Sequence, residues 1–216
     1  MNEASLSPKL TKKRRQILKV SRKIFAKEGF RNTDVQVIAD LAEVGKGTIY
    51  RYFGNKEQLF LATVKASLDE VLEAVRKGLG IAENDELQDT DLDIRQLLRT
   101  IAIASAEYYQ QNPQAVEIMI QERAEFRESV FPTHLMFRAE GRQTLEQLLR
   151  DGVNRGEIRD VDVSQITNAF ADLIYGSIVN GVLEGGKSRL VERIGYAMDL
   201  FLNGLVVSHG STNVKS

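Results

Sequence analysis

The chain has 216 residues, 43% of them hydrophobic, enough for one or two domains around a sizeable core. It has no cysteine and only two histidines, which excludes disulfides, thiolate metal sites and cysteine nucleophiles and disfavours a polyhistidine metal site. Total charge is near balance, but residues 1–56 carry net +8 and the remainder net −9, an asymmetry that points the front of the chain at a polyanion.

Long stretches show apolar residues at helical spacing, and proline is confined to Pro8, Pro113 and Pro132, so an all-α protein is expected. The first helix is predicted over about Lys9–Lys27, with Ile17, Val20, Ile24 and Phe25 on one face and Gly29 as its stop. Thr33-Asp34-Val35-Gln36 reads as a capping box, Thr33 being the cap of a short helix that ends near Leu41. A tight turn leads to a second short helix, about Lys46–Tyr52, and Asn55-Lys56-Glu57-Gln58 caps a long helix to about Lys77. An acidic, polar loop is expected from Gly80 to Thr90. Further helices are predicted over about Leu92–Gln111, stopped by Asn112-Pro113, over Gln114–Glu128, from Pro132 to Asn154, from Val161 to Leu183 and over Arg189–Val207. The tail from His209 reads as polar and unstructured. No apolar run approaches the ~20 residues needed to span a bilayer, and the charged N-terminus lacks the apolar stretch of a signal peptide. A cytoplasmic protein without a membrane partner is expected.

The two short helices have the requirements of a helix-turn-helix. Ala39 is the small residue where the helices would touch, and Ile38, Val44 and Ile49 fall where a shared core needs them. Lys46, Thr48, Tyr50 and Arg51 then face outward, suited to phosphates and base edges. The run Lys12-Lys13-Arg14-Arg15 reads equally well as an arm on the DNA backbone and as a solvated helix start. Gly45-Lys46-Gly47-Thr48 faintly resembles a phosphate loop, but the lysine precedes the glycine and no strand precedes the segment. No acid–base or metal-ligand spacing is found, and Glu-x-x-His is absent, so no enzyme, catalytic residue, metal or cofactor is expected.

Residues 12–60 resemble the TetR family of bacterial regulators. The stretches that carry the likeness are Ile17-Leu18, Ala26-Lys27-Glu28-Gly29-Phe30, Thr33, Ile38-Ala39, Gly47-Thr48-Ile49-Tyr50-Arg51-Tyr52-Phe53 and Asn55-Lys56-Glu57-Gln58-Leu59-Phe60. The resemblance implies an N-terminal three-helix helix-turn-helix bundle (residues 1–54), followed by a larger helical ligand-binding and dimerisation domain (55–216) that opens with a connecting helix (55–79). It also implies a homodimeric repressor of double-stranded operator DNA, released by a small-molecule effector. By the same resemblance Thr33 caps the second helix and touches phosphate, Lys46, Thr48 and Tyr50 enter the major groove, Tyr52 packs on or bonds to the DNA backbone, and Lys56 meets phosphate. Two residues depart from the family pattern: Glu43 stands in the turn where glycine is usual, so that it must accept positive φ or the turn must adjust, and Gly45 caps the reading helix where serine or threonine is common.

In the back half two apolar bands suit a four-helix dimer interface. One includes Phe170, Ile174 and Ile178, with Gly176 and Gly181 permitting close approach; the other includes Ile194, Met198, Phe201 and Leu205. The lesser alternative is that both bands are simply the core of a single chain. Effector-binding candidates are the apolar Tyr108, Met119, Phe126, Phe137 and Tyr175, with Tyr109 beside them, and the polar Arg123, His134 and Arg138, although core packing is the more natural fate of each aromatic. Glu122, Arg123 and Glu125 read alternatively as a solvated face laced with ion pairs.

Overall fold

The computed structural model describes residues 8–81, 92–126, 133–185 and 189–205, except the side chains of 8–11, 133–138 and 140. Among these residues all the regular elements are helices: α1 (Pro8–Asn32), α2 (Val35–Leu41), α3 (Lys46–Phe53), α4 (Lys56–Leu79), α5 (Ile94–Gln111), α6 (Pro113–Glu125), α7 (Thr133–Asn154), α8 (Val163–Leu183) and α9 (Leu190–Leu205). The all-α expectation holds, and most boundaries fall within a few residues of those read from the sequence. The acidic loop, Pro132, the tail and the side chains of His134, Phe137 and Arg138 lie outside the described residues.

Local signals explain the helix ends. Asp93 and Gln96 form a reciprocal box at the start of α5: the Gln96 amide donates to Asp93 Oδ1 at 2.8 Å, and the Asp93 amide donates to Gln96 Oε1 at 3.3 Å. Asp162 caps α8 by accepting the amides of Ser164 and Gln165 at 2.9 and 3.2 Å. Gly29 does not end α1 outright. It adopts φ 79° and ψ 159°, a conformation open essentially to glycine alone, and the chain resumes helical geometry to Asn32.

Packing divides the chain into two compact units. The first comprises Met1–Glu70 and Asn112–Phe137, the second Val71–Gln111 and Arg138–Ser216. In the first unit, Ile17, Leu18 and Phe25 of α1, Ile38 and Ala39 of α2, Ile49 and Phe53 of α3, Leu59, Phe60 and Val64 of α4 and Ile118 of α6 make one buried core. Each fully buried aliphatic or aromatic side chain there contributes about 1.5–3 kcal/mol. Aromatic edges close the core: Phe25 meets Phe60 at 5.0 Å, and Phe30 meets Phe60 at 5.3 Å and Phe126 at 5.0 Å, ring centroid to centroid. Phe126, expected in an effector site, is therefore part of the core that supports the helix-turn-helix. Arg22 is buried on α1 and reaches α4, donating to Glu70 Oε2 at 2.6 Å and to Ser67 Oγ at 3.4 Å.

In the second unit α9 packs on α5 and α8. Leu97 and Leu98 of α5, Phe170, Ile178 and Val182 of α8, and Leu190, Ile194, Met198, Leu202 and Leu205 of α9 are buried within the single chain. This corrects the assignment of Phe170, Ile178, Ile194, Met198 and Leu205 to an interface with a second copy; Ile174 and Phe201 are half-buried. The most apolar stripe of each helix goes to its own chain, and a Cβ on Gly181 would meet Leu190 Cδ2 at 2.4 Å, so the close approach that glycine permits is between α8 and α9 of one molecule. The faces left outward carry Tyr175, Leu183, Tyr196 and Leu200, between 42% and 71% exposed. By length and composition alone α8 is also long and apolar enough to cross a membrane, contrary to the sequence expectation. A helix packed on its neighbours in a folded core passes the same test.

Candidate nucleic-acid interface

The reading unit is built from α2, a tight turn and α3. Asp34, not Thr33, caps α2: its Oδ1 accepts the Gln36 amide at 2.8 Å. Thr33 turns back instead, its hydroxyl donating to the Gly29 carbonyl at 2.7 Å, and the residue is buried. The expected cap is thereby corrected. The Gly29 kink offers the threonine a carbonyl, whereas the carboxylate of the next residue is a stronger acceptor for a helix amide. Gln36 does not complete a box; its side chain donates to Asp40 Oδ1 at 2.8 Å.

The turn behaves as its sequence requires. Glu43 takes φ 54°, unlike every other described non-glycine residue. Such a conformation costs an L-residue roughly 1–2 kcal/mol. The turn is held by the Val44 amide on the Ala39 carbonyl at 2.9 Å and by Gln16 Nε2 on the Ala42 carbonyl at 3.2 Å. Gly45 precedes α3 with extended backbone and, as expected of glycine, gives no side-chain cap.

On α3, Ile49 and Phe53 point into the core, which turns the stripe of Lys46, Gly47, Tyr50 and Arg51 the other way. Tyr50 and Arg51 are exposed, whereas Lys46 and Thr48 are half-buried. Gly47, which sequence reasoning passed over, is exposed on the same stripe, and a Cβ there would meet nothing within 4 Å. Val37 and Leu41, also missed, are exposed large apolar residues on α2. Their i, i+4 spacing opposite the buried Ile38 and Ala39 was the available signal.

Several cations of the first unit have partners within it. Lys46 Nζ lies 3.3 Å from Asp34 Oδ1. Lys56 Nζ donates to the Arg31 carbonyl at 2.9 Å and sits 5.0 Å from the centre of the Phe30 ring. The Arg31 guanidinium pairs with Glu125 at 2.7 Å. Arg14, from the basic run, lies over the Phe53 ring at 5.4 Å, while Lys12, Lys13 and Arg15 are exposed. The Gln36 amide, then the Lys46 ammonium, hold the Asp34 carboxyl below the usual carboxylate range. Tyr52 differs from Tyr50: its ring lies beside Phe53 and Arg51, and its hydroxyl is buried without a hydrogen-bond partner among the described residues.

The effector candidates fall in different units of the chain. Met119 is buried on α6 and Arg123 is exposed there, both in the first unit with Phe126. Tyr108 is buried on α5 in the second unit, its ring 5.2 Å from that of Tyr109. Burial pushes the Tyr109 phenol well above its ordinary value, with the charge of Tyr175 adding to the shift. Tyr175 itself is exposed on α8. Glu122 is buried and so does not belong to a solvated face.

Residues 17–63 match the family model described as bacterial regulatory proteins, tetR family. Over 90% of each chain the protein is 22% identical to the HTH-type transcriptional regulator LuxR of Vibrio harveyi. It is 26% identical to the HTH-type transcriptional repressor KstR2 of Rhodococcus jostii, over 91% of this chain and 93% of the relative. Among solved structures it superposes on FadR of Bacillus subtilis, determined in complex with stearoyl-CoA, with a TM-score of 0.70 at 21% identity, covering 88% of this chain and 98% of the other.

Proposed function

We propose, from the premise that this chain belongs to the TetR family of DNA-binding, helix-turn-helix transcription regulators, that it is a homodimeric repressor released from its operator by a small-molecule effector. The observation that carries the DNA side is α3. Its core face, Ile49 and Phe53, leaves Tyr50 and Arg51 exposed at the surface of a segment with net positive charge. Tyr50 and Thr48 read base edges in the major groove, which Lys46 enters to meet phosphate along with Arg51 and Lys56, and residues 1–54 form the reading domain of a chain whose remainder binds effector and partner. Thr33 and Tyr52 act from inside the unit, shaping it rather than touching DNA.

Dimerisation is supported by the outward faces of α8 and α9, where Tyr175, Leu183, Tyr196 and Leu200 are exposed. It is also supported by the geometry of duplex DNA, whose successive major grooves call for two reading helices ~34–36 Å apart. The fold shared with the stearoyl-CoA-binding regulator supports an effector here too. Tyr108 and Tyr109 are the strongest contributors on the described residues of the second unit. The effector works by binding one conformation better than the other, since equal affinity for both would shift nothing. The protein acts by binding, in the cytoplasm where its operator lies.

The test is selection of a duplex from random sequence, followed by anisotropy titrations. Tyr50→Ala should abolish preference for the selected site, while Lys56→Ala weakens all sequences and flattens the salt dependence by about one. Failure of the wild-type protein to bind any duplex tightly at low salt sinks the proposal.

A further inference from the structure

An acidic residue stands inside the cationic reading surface, and it holds one of that surface's own cations. Asp34 Oδ1 accepts two groups at once, the Gln36 amide at 2.8 Å and the Lys46 ammonium at 3.3 Å. The first bond caps α2, and the second reaches across the turn to the opening residue of α3. Both side chains stay open to solvent, Asp34 at 62% and Lys46 at 39% exposure, so the pair sits on the surface and is free to break. The cap of α2 needs the acceptor oxygen more than the charge, because a neutral asparagine also caps a helix well. The fold uses the acceptor oxygen, whereas the negative charge acts on the lysine and on whatever anion approaches it.

We propose that Asp34 sets the affinity of the reading surface, its carboxylate holding the Lys46 ammonium in the free protein and opposing the approach of DNA phosphate. This rests on the DNA-binding reading of α3. Two effects have the same sign. Lys46 must leave Asp34 before it can serve the duplex, and the carboxylate left behind then faces the polyanion. An exposed ion pair is weak, and salt screens the repulsion. The device is therefore a modest brake that acts on all sequences alike. Because it weakens specific and random binding together, it limits occupancy of the many competing sites without altering which base pairs are preferred.

The experiment uses the full chain with Asp34→Asn, Lys46→Ala and the double variant. Each is titrated against a labelled random-sequence duplex and against the selected operator, between about 50 and 200 mM salt. Asp34→Asn should bind both duplexes about fivefold more tightly at the low-salt end. Its plot of log affinity against log salt should steepen by about one, as for one additional phosphate neutralised. The asparagine keeps the cap oxygen but gives up the carboxylate's pairing, so the thermal midpoint should fall only slightly; Asp34→Ala, which loses the cap as well, should lower it further and reports the structural role separately. In the Lys46→Ala background, Asp34→Asn should gain less than about twofold, since the two residues act as a coupled pair. Unchanged or weaker binding by Asp34→Asn overturns the inference. An undiminished gain without Lys46 overturns the route through the lysine. A wild-type protein that binds no duplex overturns the DNA-binding reading itself, a result seen before any variant is made.

Discussion

Tyr52→Phe tests whether the two tyrosines of α3 have the separate roles their surroundings give them. The Tyr52 hydroxyl is buried and lacks a hydrogen-bond partner among the described residues, while its ring lies 6.1 Å from Phe53 and 5.8 Å from the Arg51 guanidinium, measured to ring centroids. The substitution removes one oxygen and keeps the ring contacts. A buried hydroxyl without a partner costs roughly 1–3 kcal/mol. The residue as a whole is half-buried, so the low end applies, and Tyr52→Phe should stabilise the protein by about 1 kcal/mol. For a chain of this size that is a rise of roughly 2–4 °C in Tm. Since the hydroxyl points inward, DNA affinity should stay within about twofold of wild type, in contrast to the loss expected for Tyr50→Ala. Urea unfolding and anisotropy on the same preparations read both quantities. A destabilisation greater than about 0.5 kcal/mol would show that the hydroxyl makes a favourable bond, and a loss of DNA binding at unchanged stability would return Tyr52 to the interface; either result refutes the reasoning.

Phe126→Ala should destabilise the protein by about 2–3 kcal/mol, because the ring packs on Phe30 and Phe60; unchanged urea stability would remove Phe126 from the core that supports the reading unit. On α9, Met198→Ala should cost about 2–4 kcal/mol, since Met198 is buried within one chain. Leu200→Glu should leave that stability nearly intact and instead shift sedimentation from dimer towards monomer; a stable, fully dimeric Leu200→Glu protein would move the interface elsewhere. Among the described residues three carboxyls lie below their usual range: Asp34 through the Gln36 amide, Glu157 through its bond to Arg155, and Glu184 through its bond to Arg193. A lowered carboxyl adds stability above its unfolded pKa of about 4 and loses it as pH falls through the folded value. Urea midpoints should therefore be flat from about pH 5 to 8 and fall below about pH 4. The combined Asp34→Asn, Glu157→Gln and Glu184→Gln protein should show a shallower acid limb, and an equally steep one would contradict the assignment.

The reading unit was largely legible in the sequence because its constraints are local. Ala39, Ile49 and Phe53 are separated by short, fixed spacings, and a helix of 3.6 residues per turn leaves little freedom about which way Tyr50 and Arg51 face. Glu43 at positive φ follows from the tightness of the turn. The cap differs from the expected one because Thr33 and Asp34 both have capping side chains, and Thr33 turns its hydroxyl to the Gly29 carbonyl that already accepts its amide, three-dimensional information that a four-residue pattern lacks. Phe126 was open between core and effector site for a related reason. Its role is fixed by rings 66 and 96 residues earlier, at Phe60 and Phe30, and no local spacing encodes a contact of that range.

The error on α8 and α9 has a different physical origin and says most about how such a protein is organised. An amphipathic stripe reports that a helix face must leave water, not whose atoms will cover it. On α9 the strongest stripe, Leu190, Ile194, Met198, Leu202 and Leu205, is covered by α5 and α8 of the same chain. A second, weaker set, Tyr196 and Leu200, interrupted by the charged Asp199 and Arg193, stays outside. Asp199 is tied to Arg99 of α5 and Arg193 to Glu184 at the end of α8, so the charges that break this outer stripe serve the fold of the single chain. A face with two large exposed apolar residues between satisfied ion pairs suits a partner that arrives after the chain has folded. In the proposed dimer, folding and dimerisation draw on different residues of one helix, and substitutions at 198 and 200, two positions apart, should separate them.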